Sequence, residues 1–350
     1  MKDVKYIYWF AFYNIGSPSV RYRAKYPLAF FKEKLGIQSV LVVPSYQPKK
    51  ILQFLTAYFS ALLFRKKNSL IVIQRVHSNF IYSTLLKFLV KMRPKDTIYD
   101  LDDADYLYLP PKNIYWFAKN CQYISAGSRE IRKHLLPFNE KIVITTSPTQ
   151  DLGLVKKGKS KSFNIGWIGG FGGDHKQSLI SLVFPAIKSL NFNCVFTILG
   201  VTNRSDLDFI KNYFSENDHI ETVVPMGIDW NNESEIQNRI LEFDIGIATL
   251  LDNKIQLSKS GIKVKQYLNN GIPVLATNLP ENDWLVKDGI NGYFCNSEND
   301  FLKRIIEFYE MDNKLYECFS IAARNSISEF DHTKYLSDLL GIKRLDITKN

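Results

Sequence analysis

A chain of 350 residues that is 45% hydrophobic and 14% aromatic can bury two substantial cores and is too long for one ordinary domain. Its net charge of +10 is shared unevenly, since residues 1–155 hold 23 Lys and Arg against 10 Asp and Glu while the rest holds 22 against 25. The sequence carries no zinc-finger spacing, recognition-helix pattern or RNP-like aromatic motif, so the basic half does not point to nucleic acid, and an anionic membrane surface is the better-placed partner.

From the start of the chain, Met1–Gly16 lacks the n-region, h-region and cleavage site of a signal peptide, which predicts a cytoplasmic protein. Short β-rich runs then alternate with helix-length segments: YIYWFAFY, a helix from about Tyr26, SVLVVP, the apolar segment Ile51–Phe64, SLIVIQRV, TIYDLDD, QYISAGS and KIVITTS. This order predicts a parallel sheet covered on both faces.

The segment Ile51–Phe64 is 14 residues long, short of the ~20 that span a bilayer. Lys49-Lys50 and Arg65-Lys66-Lys67 bracket it. Two readings stand: a core helix with solvated ends, or a surface helix over residues 49–67 lying on anionic lipid, which would make the protein peripheral to the inner face of the membrane.

Between Pro148 and Ser162 the stretch TQDLGLVKKGKSKS is polar and poor in apolar residues, and is expected to link two domains, 1–155 and 160–330. A second alternation then begins: FNIGWIGG, a helix through Ser178 to Leu190, CVFTILG, a helix near Asp206–Phe214, IETVVPMG, IGIATLL, KVKQYLNN, IPVLAT and GYFC. A last helix at about 331–345 is expected to pack back on the first domain. Two consecutive doubly wound Rossmann-like domains predict an active site in the cleft between them, beyond the carboxyl ends of their strands. Cys121, Cys194, Cys295 and Cys318 lie far apart, form no C-x-x-C pair, and read as reduced core residues.

Two strings carry the chemistry. Ile165–Gly173, IGWIGGFGG, is a strand ending in a glycine-rich loop, where the backbone amides of Gly169, Gly170, Gly172 and Gly173 could cradle phosphate before a helix near His175. No acidic residue closes the following strand, which ends in Gly200, so a dinucleotide enzyme is not expected. Lys259–Asn278, KSGIKVKQYLNNGIPVLATN, reads as a helix leading through Gly271-x-Pro273 into a strand, with Lys259 and Lys263 four residues apart on one helical face.

This second string resembles the donor-binding segment of the family 4 retaining glycosyltransferases, in which A-x-G-x-P-V-V-A follows a helix carrying an acidic residue. Phe243–Gly246 and Val286–Gly292 resemble further motifs of that family, and the likeness covers residues 163–330. It implies a GT-B fold and transfer of a hexose from a UDP- or GDP-sugar to a hydroxyl of a surface polysaccharide or glycolipid, with retention and without a metal. The family's two glutamates, eight residues apart, fall on Ser258 and Gln266, leaving Gln266 to hydrogen-bond the ribose. Lys259 and Lys263 match a lysine-bearing branch of the family, with Lys263 neutralising the leaving diphosphate. By the same resemblance Met226 flanks the nucleobase, Arg21 lies in a loop closing over phosphate, and Asp102 and Asp103 orient the acceptor, a glycan or lipid-linked alcohol. Two other readings fit the sequence: a nucleotide-sugar epimerase of the same fold, and a non-catalytic assembly partner at the membrane.

Overall fold

A computed structural model describes residues 4–64 and 68–341, the side chain of Phe64 excepted. Arg65, Lys66 and Lys67, and the end of the helix expected at 331–345, lie outside the described residues. The chain forms two compact units: one is made of the residues up to Gln150, Ser258–Ser260 and the residues from Phe330, the other of Asp151–Leu257 and Gly261–Glu329.

The first unit holds six parallel strands in the order β2-β1-β3-β4-β5-β6. These are β1 (Tyr6–Ala11), β2 (Gln38–Val42), β3 (Ser69–Gln74), β4 (Thr97–Leu101), β5 (Tyr123–Ala126) and β6 (Ile142–Ile144). The period of two along the central strands sorts their side chains. Tyr8, Phe10, Ile71, Ile73, Tyr99 and Leu101 fill a core on one face, and Ile7, Trp9, Leu70, Val72 and Ile98 a core on the other. The second core is completed by Tyr335, Leu336 and Leu339 of the closing helix His332–Leu339, whose Tyr335 hydroxyl donates to Arg23 O at 2.8 Å.

The second unit repeats the plan with β7 (Phe163–Ile168), β8 (Cys194–Leu199), β9 (Ile220–Val223), β10 (Ile245–Ala248), β11 (Val274–Ala276) and β12 (Gly292–Phe294), in the order β12-β11-β10-β7-β8-β9. Strand order reverses at β1/β3 in one sheet and at β7/β10 in the other, the places where doubly wound sheets open for ligands.

Several local expectations are corrected. The stretch after β1 is not a loop through Arg23: Pro18, with its φ fixed for a first helical turn, starts a helical run at Pro18–Val20 that continues as a π-turn over Arg21–Lys25 into the helix Tyr26–Leu35. The polar stretch before β7 needs no such change: the two units divide within it, after Gln150, and buried Asp244 accepts from Ser160 N at 2.7 Å and pairs with Lys156 Nζ at 3.1 Å. Cys318 is exposed, whereas Cys121, Cys194 and Cys295 are buried. Among the described residues no helix is long and apolar enough to cross a membrane.

Candidate functional site

In the first unit the site forms at the carboxyl ends of β1, β3 and β4. β4 ends at Leu101, and the chain turns through Asp102 and Asp103 to Asp105. Gly127, just after β5, lets this turn pass close by: a Cβ there would lie 2.6 Å from Asp102 Cα. Its amide donates to Leu101 O at 2.8 Å, fixing where Asp102 begins.

Three carboxylates gather on Arg75. Nε and Nη2 donate to Asp105 at 2.8 and 2.5 Å, Nη2 lies 3.4 Å from Asp103 Oδ2, and Nε lies 3.7 Å from Asp102 Oδ1. The Arg75 guanidinium also sits 4.5 Å from the centre of the Tyr13 ring, and the Tyr13 hydroxyl is 3.1 Å from His77 Nε2. Arg75 itself holds φ at 54°, in the left-handed region that non-glycine residues rarely enter. Such strain persists only where the surroundings over-determine it, and here the amide donates to Asp100 O at 2.9 Å while the side chain is held by the acidic turn.

The carboxylates do not share one environment. Burial drives the Asp102 carboxyl above its ordinary range, against the pull of Arg75 and Arg23. Burial also opposes the charge of Asp103, but Lys259 and Arg75 outweigh it and hold that carboxyl low. Asp102 thus holds a proton more readily than Asp103, because burial outweighs the cations at the first and the cations outweigh burial at the second.

The direction of hydrogen bonding at Asp102 is determined from a distance. Trp9 Nε1 can only donate, and it donates to Gln74 Oε1 at 2.9 Å. That fixes the Gln74 amide, whose Nε2 donates to Ser19 O and Ser19 Oγ, both at 3.1 Å. The Ser19 hydroxyl therefore points onward and donates to Asp102 Oδ1 at 2.7 Å.

Lys259 is placed differently from expectation. The helix it was to share with Lys263 begins only at Ile262, because Gly261 takes the left-handed N-cap conformation at φ 66°. Ser258–Ser260 groups with the first unit, where Lys259 Nζ lies 2.9 Å from Asp103 Oδ1 and buried Ser258 hydrogen-bonds Tyr106. Arg21 is buried within its π-turn, its guanidinium 5.2 Å from the Tyr22 ring centre. The neighbouring Arg23 is a structural cation: Nε donates to Asp100 Oδ2 at 2.8 Å, Nη1 to Thr145 O at 2.6 Å and Nη2 to Ser125 Oγ at 3.0 Å.

In the second unit the glycine loop and Lys263 are brought together. β7 ends at Ile168, the loop runs through Gly169–Gly172, and the next helix starts at Gly173 rather than near His175. Tyr267 clamps the helix Ile262–Asn269 over the β7/β10 reversal, its hydroxyl accepting from Ile168 N at 2.9 Å and donating to Ile247 O at 3.0 Å. Lys263, in the first turn of that helix, reaches the loop: Nζ donates to His175 Nδ1 at 3.2 Å and lies 4.6 Å from the centre of the Trp167 ring. Gly169 makes the approach possible, since a Cβ there would stand 2.7 Å from Lys263 Cε and 2.9 Å from Nζ. The ammonium group thus lies against the side chain of His175, in the first turn of the Gly173–Leu182 helix, whose first amides have no intrahelical acceptor by geometry, and such a turn with a cation suits a phosphate or diphosphate. The expected cradle of four glycine amides is corrected: Gly169 N donates to Leu199 O and Gly172 N to Gly170 O, both at 2.9 Å. Gln266, half-buried, lies one turn further along the same helix, and Met226 is exposed in the loop after β9.

Sequence reasoning missed Arg75, Ser19, Gln74 and Trp9, and passed over Trp167. Gln74-Arg75 directly after an apolar strand was the available signal for the first unit. Among the described residues no group of three or more His, Cys, Asp or Glu is placed to hold a metal ion, the acidic turn being organised around Arg75 instead.

No family model matches the sequence, and no curated protein matches it. Solved structures resemble the whole chain. HepE of Anabaena in complex with UDP-glucose is 13% identical with a TM-score of 0.65, over 96% of this chain and 98% of that one. A glycosyltransferase from Rickettsia africae is 16% identical with a TM-score of 0.69, over 99% and 100%. The lipopolysaccharide outer core galactosyltransferase WaaB is 14% identical with a TM-score of 0.62, over 96% and 98%. With its two parallel six-stranded sheets and flanking helices, the chain has the GT-B fold of these proteins.

Proposed function

We propose that this chain is a glycosyltransferase that moves a hexose from a UDP- or GDP-sugar to a hydroxyl of a polysaccharide or glycolipid acceptor, with retention of configuration. The observation that carries the reading is the meeting of Lys263 with the Gly169–Gly173 loop at the strand-order reversal of the second unit. A nucleotide diphosphate would take its charge neutralisation from Lys263 and the helix-terminal amides, so the reaction needs no metal. Gln266 would serve the ribose and Met226 the base.

In the first unit Asp102 would accept a hydrogen bond from the acceptor hydroxyl and orient its oxygen towards the sugar, while the departing diphosphate takes the proton. Asp103, paired with Lys259 and Arg75, would keep the acidic turn in place rather than react. The likeness to a protein solved with UDP-glucose supports a uridine donor. Titration calorimetry of the purified chain against UDP, GDP, CMP and their sugar conjugates tests the reading. Selective binding of one diphosphate and its sugar is expected; failure to bind any of them would return the chain to a non-catalytic assembly role, and turnover of donor to an epimer without acceptor would identify an epimerase.

A further inference from the structure

The helices Pro48–Phe59 and Phe80–Met92 lie side by side over one face of the first sheet: the Tyr58 hydroxyl donates to Leu85 O at 3.1 Å, and the Phe54 and Tyr82 rings are 5.3 Å apart. Their inner faces give Ala57, Tyr58, Leu86 and Leu89 to the core. An ordinary surface helix turns a polar face outwards, but these two expose large apolar side chains instead. Phe80 is 83% exposed, Ile81 71%, Leu52 66% and, in the turn that ends the first helix, Leu63 64%; Phe59 and Phe88 are exposed beside them. Apolar exposure spread over two adjoining helices marks an interaction surface.

The charge around it selects the partner. From Lys34 to Lys95 the sequence has 11 Lys and Arg and not one Asp or Glu. Arg75 and Arg93 are buried, but Lys49, Lys50, Lys91 and Lys95 are exposed. Aromatic and aliphatic side chains flanked by lysines, with no acidic residue among them, fit the boundary between acyl chains and anionic headgroups.

We propose that this two-helix face docks on an anionic lipid bilayer. It is wider than the segment 49–67, because the most exposed apolar side chains of the two helices, Phe80 and Ile81, lie on the second. In a parallel sheet the crossover helices run opposite to the strands, so the helix starts bearing Leu52, Phe80 and Ile81 lie at the same sheet edge as Asp102. Docking there would present the acidic turn to a lipid-linked acceptor; that extension rests on the proposed transferase reading, whereas the docking itself does not.

The full chain is incubated, without donor or acceptor, with vesicles of phosphatidylcholine alone and of phosphatidylcholine mixed with phosphatidylglycerol, and sedimented. Binding to the mixed vesicles only is expected. The variant Leu52→Ser/Phe80→Ser/Ile81→Ser lowers the partition coefficient about tenfold or more, as does Lys49→Glu/Lys50→Glu. Both variants keep the wild-type circular dichroism and thermal transition, since every changed side chain is exposed. The proposal is overturned if the wild type stays in the supernatant, or if the serine variant sediments like the wild type and leaves only diffuse charge attraction. A concentration-dependent dimer abolished by the serine variant would likewise overturn it, by assigning the face to a second copy. Because no nucleotide is present, none of these outcomes depends on whether the chain transfers sugar.

Discussion

Trp9 Nε1 lies 2.9 Å from Gln74 Oε1, and because an indole nitrogen can only donate, that one contact sets the polarity of a hydrogen-bond chain running through Gln74 and Ser19 to Asp102. Trp9 and Gln74 are buried in the strands β1 and β3, so the orientation of an acidic side chain in a turn is decided by the core of the sheet. Rigid support of this kind suits the role proposed for Asp102 in positioning an acceptor hydroxyl.

The Ser19 hydroxyl stabilises the ionised form of Asp102, while burial opposes it more strongly. Ser19→Ala should therefore raise the Asp102 pKa further, moving the acidic limb of the transfer rate to higher pH. Asp102→Asn should remove that limb and, by misplacing the acceptor hydroxyl, lower the rate about 100-fold. Release of nucleotide diphosphate followed across pH measures both. An unshifted profile in Ser19→Ala would separate the hydrogen-bond chain from the chemistry.

Lys263→Ala should weaken binding of the nucleotide diphosphate by ~1.5 to 3 kcal/mol, the loss of one charge-assisted hydrogen bond. Calorimetry with UDP and with uridine distinguishes the contact: affinity for the nucleoside should stay constant. Equal losses for both ligands would move Lys263 away from the phosphates.

Gly169→Ala tests the same contact from the other side. The new methyl would stand 2.7 Å from Lys263 Cε, so the ammonium group must leave its place over Trp167. The expected loss of UDP affinity is close to that of Lys263→Ala, and the double variant should lose little more than either alone, because both changes remove one interaction. Full additivity would mean that the glycine serves the backbone and not the lysine.

The parallel strands were legible because each is a short apolar run between turn signals, and the glycine loop because Gly169–Gly173 is contiguous in sequence. Lys263 could be named from the resemblance of its helix, with the Gly271-x-Pro273 that follows, to a donor-binding segment, but its contact with Gly169 depends on a helix and a strand end far apart in the chain meeting at the β7/β10 reversal. Lys259 was misplaced because helical periodicity extends through Gly261, and only the left-handed backbone there breaks it. Arg75 left only the polar pair Gln74-Arg75 at the end of an apolar strand as a signal: its role arises from a backbone conformation that non-glycine residues seldom adopt and from carboxylates nearly 30 residues further on. The link from Trp9 to Gln74 spans 65 residues and depends on the register of β1 against β3, which pairs Ala11 with Gln74 and so carries no local signal at all.

His332 offers a test of how the closing helix is fastened to the first unit. Its Nε2 lies 2.9 Å from Gln150 Oε1 and its ring 5.1 Å from that of Phe30, while Nδ1 is buried without a hydrogen-bond partner among the described residues. Burial pushes its pKa from 6.5 down to about 4, against the nearby charge of Asp331. Below pH 6.5 the unfolded chain therefore takes up a proton that the native one refuses, and stability must fall as pH drops towards 4; above 6.5 the contribution is complete. At about 1.4 kcal/mol for each tenfold difference in proton affinity, the loss approaches ~3 kcal/mol at the bottom of that window. Urea unfolding at pH 7 and pH 5 should show the wild type losing stability relative to His332→Asn, which has no proton to bind. If the two lose stability in parallel, the imidazole is not held neutral by the fold, and the helix is secured by Tyr335, Leu336 and Leu339 alone.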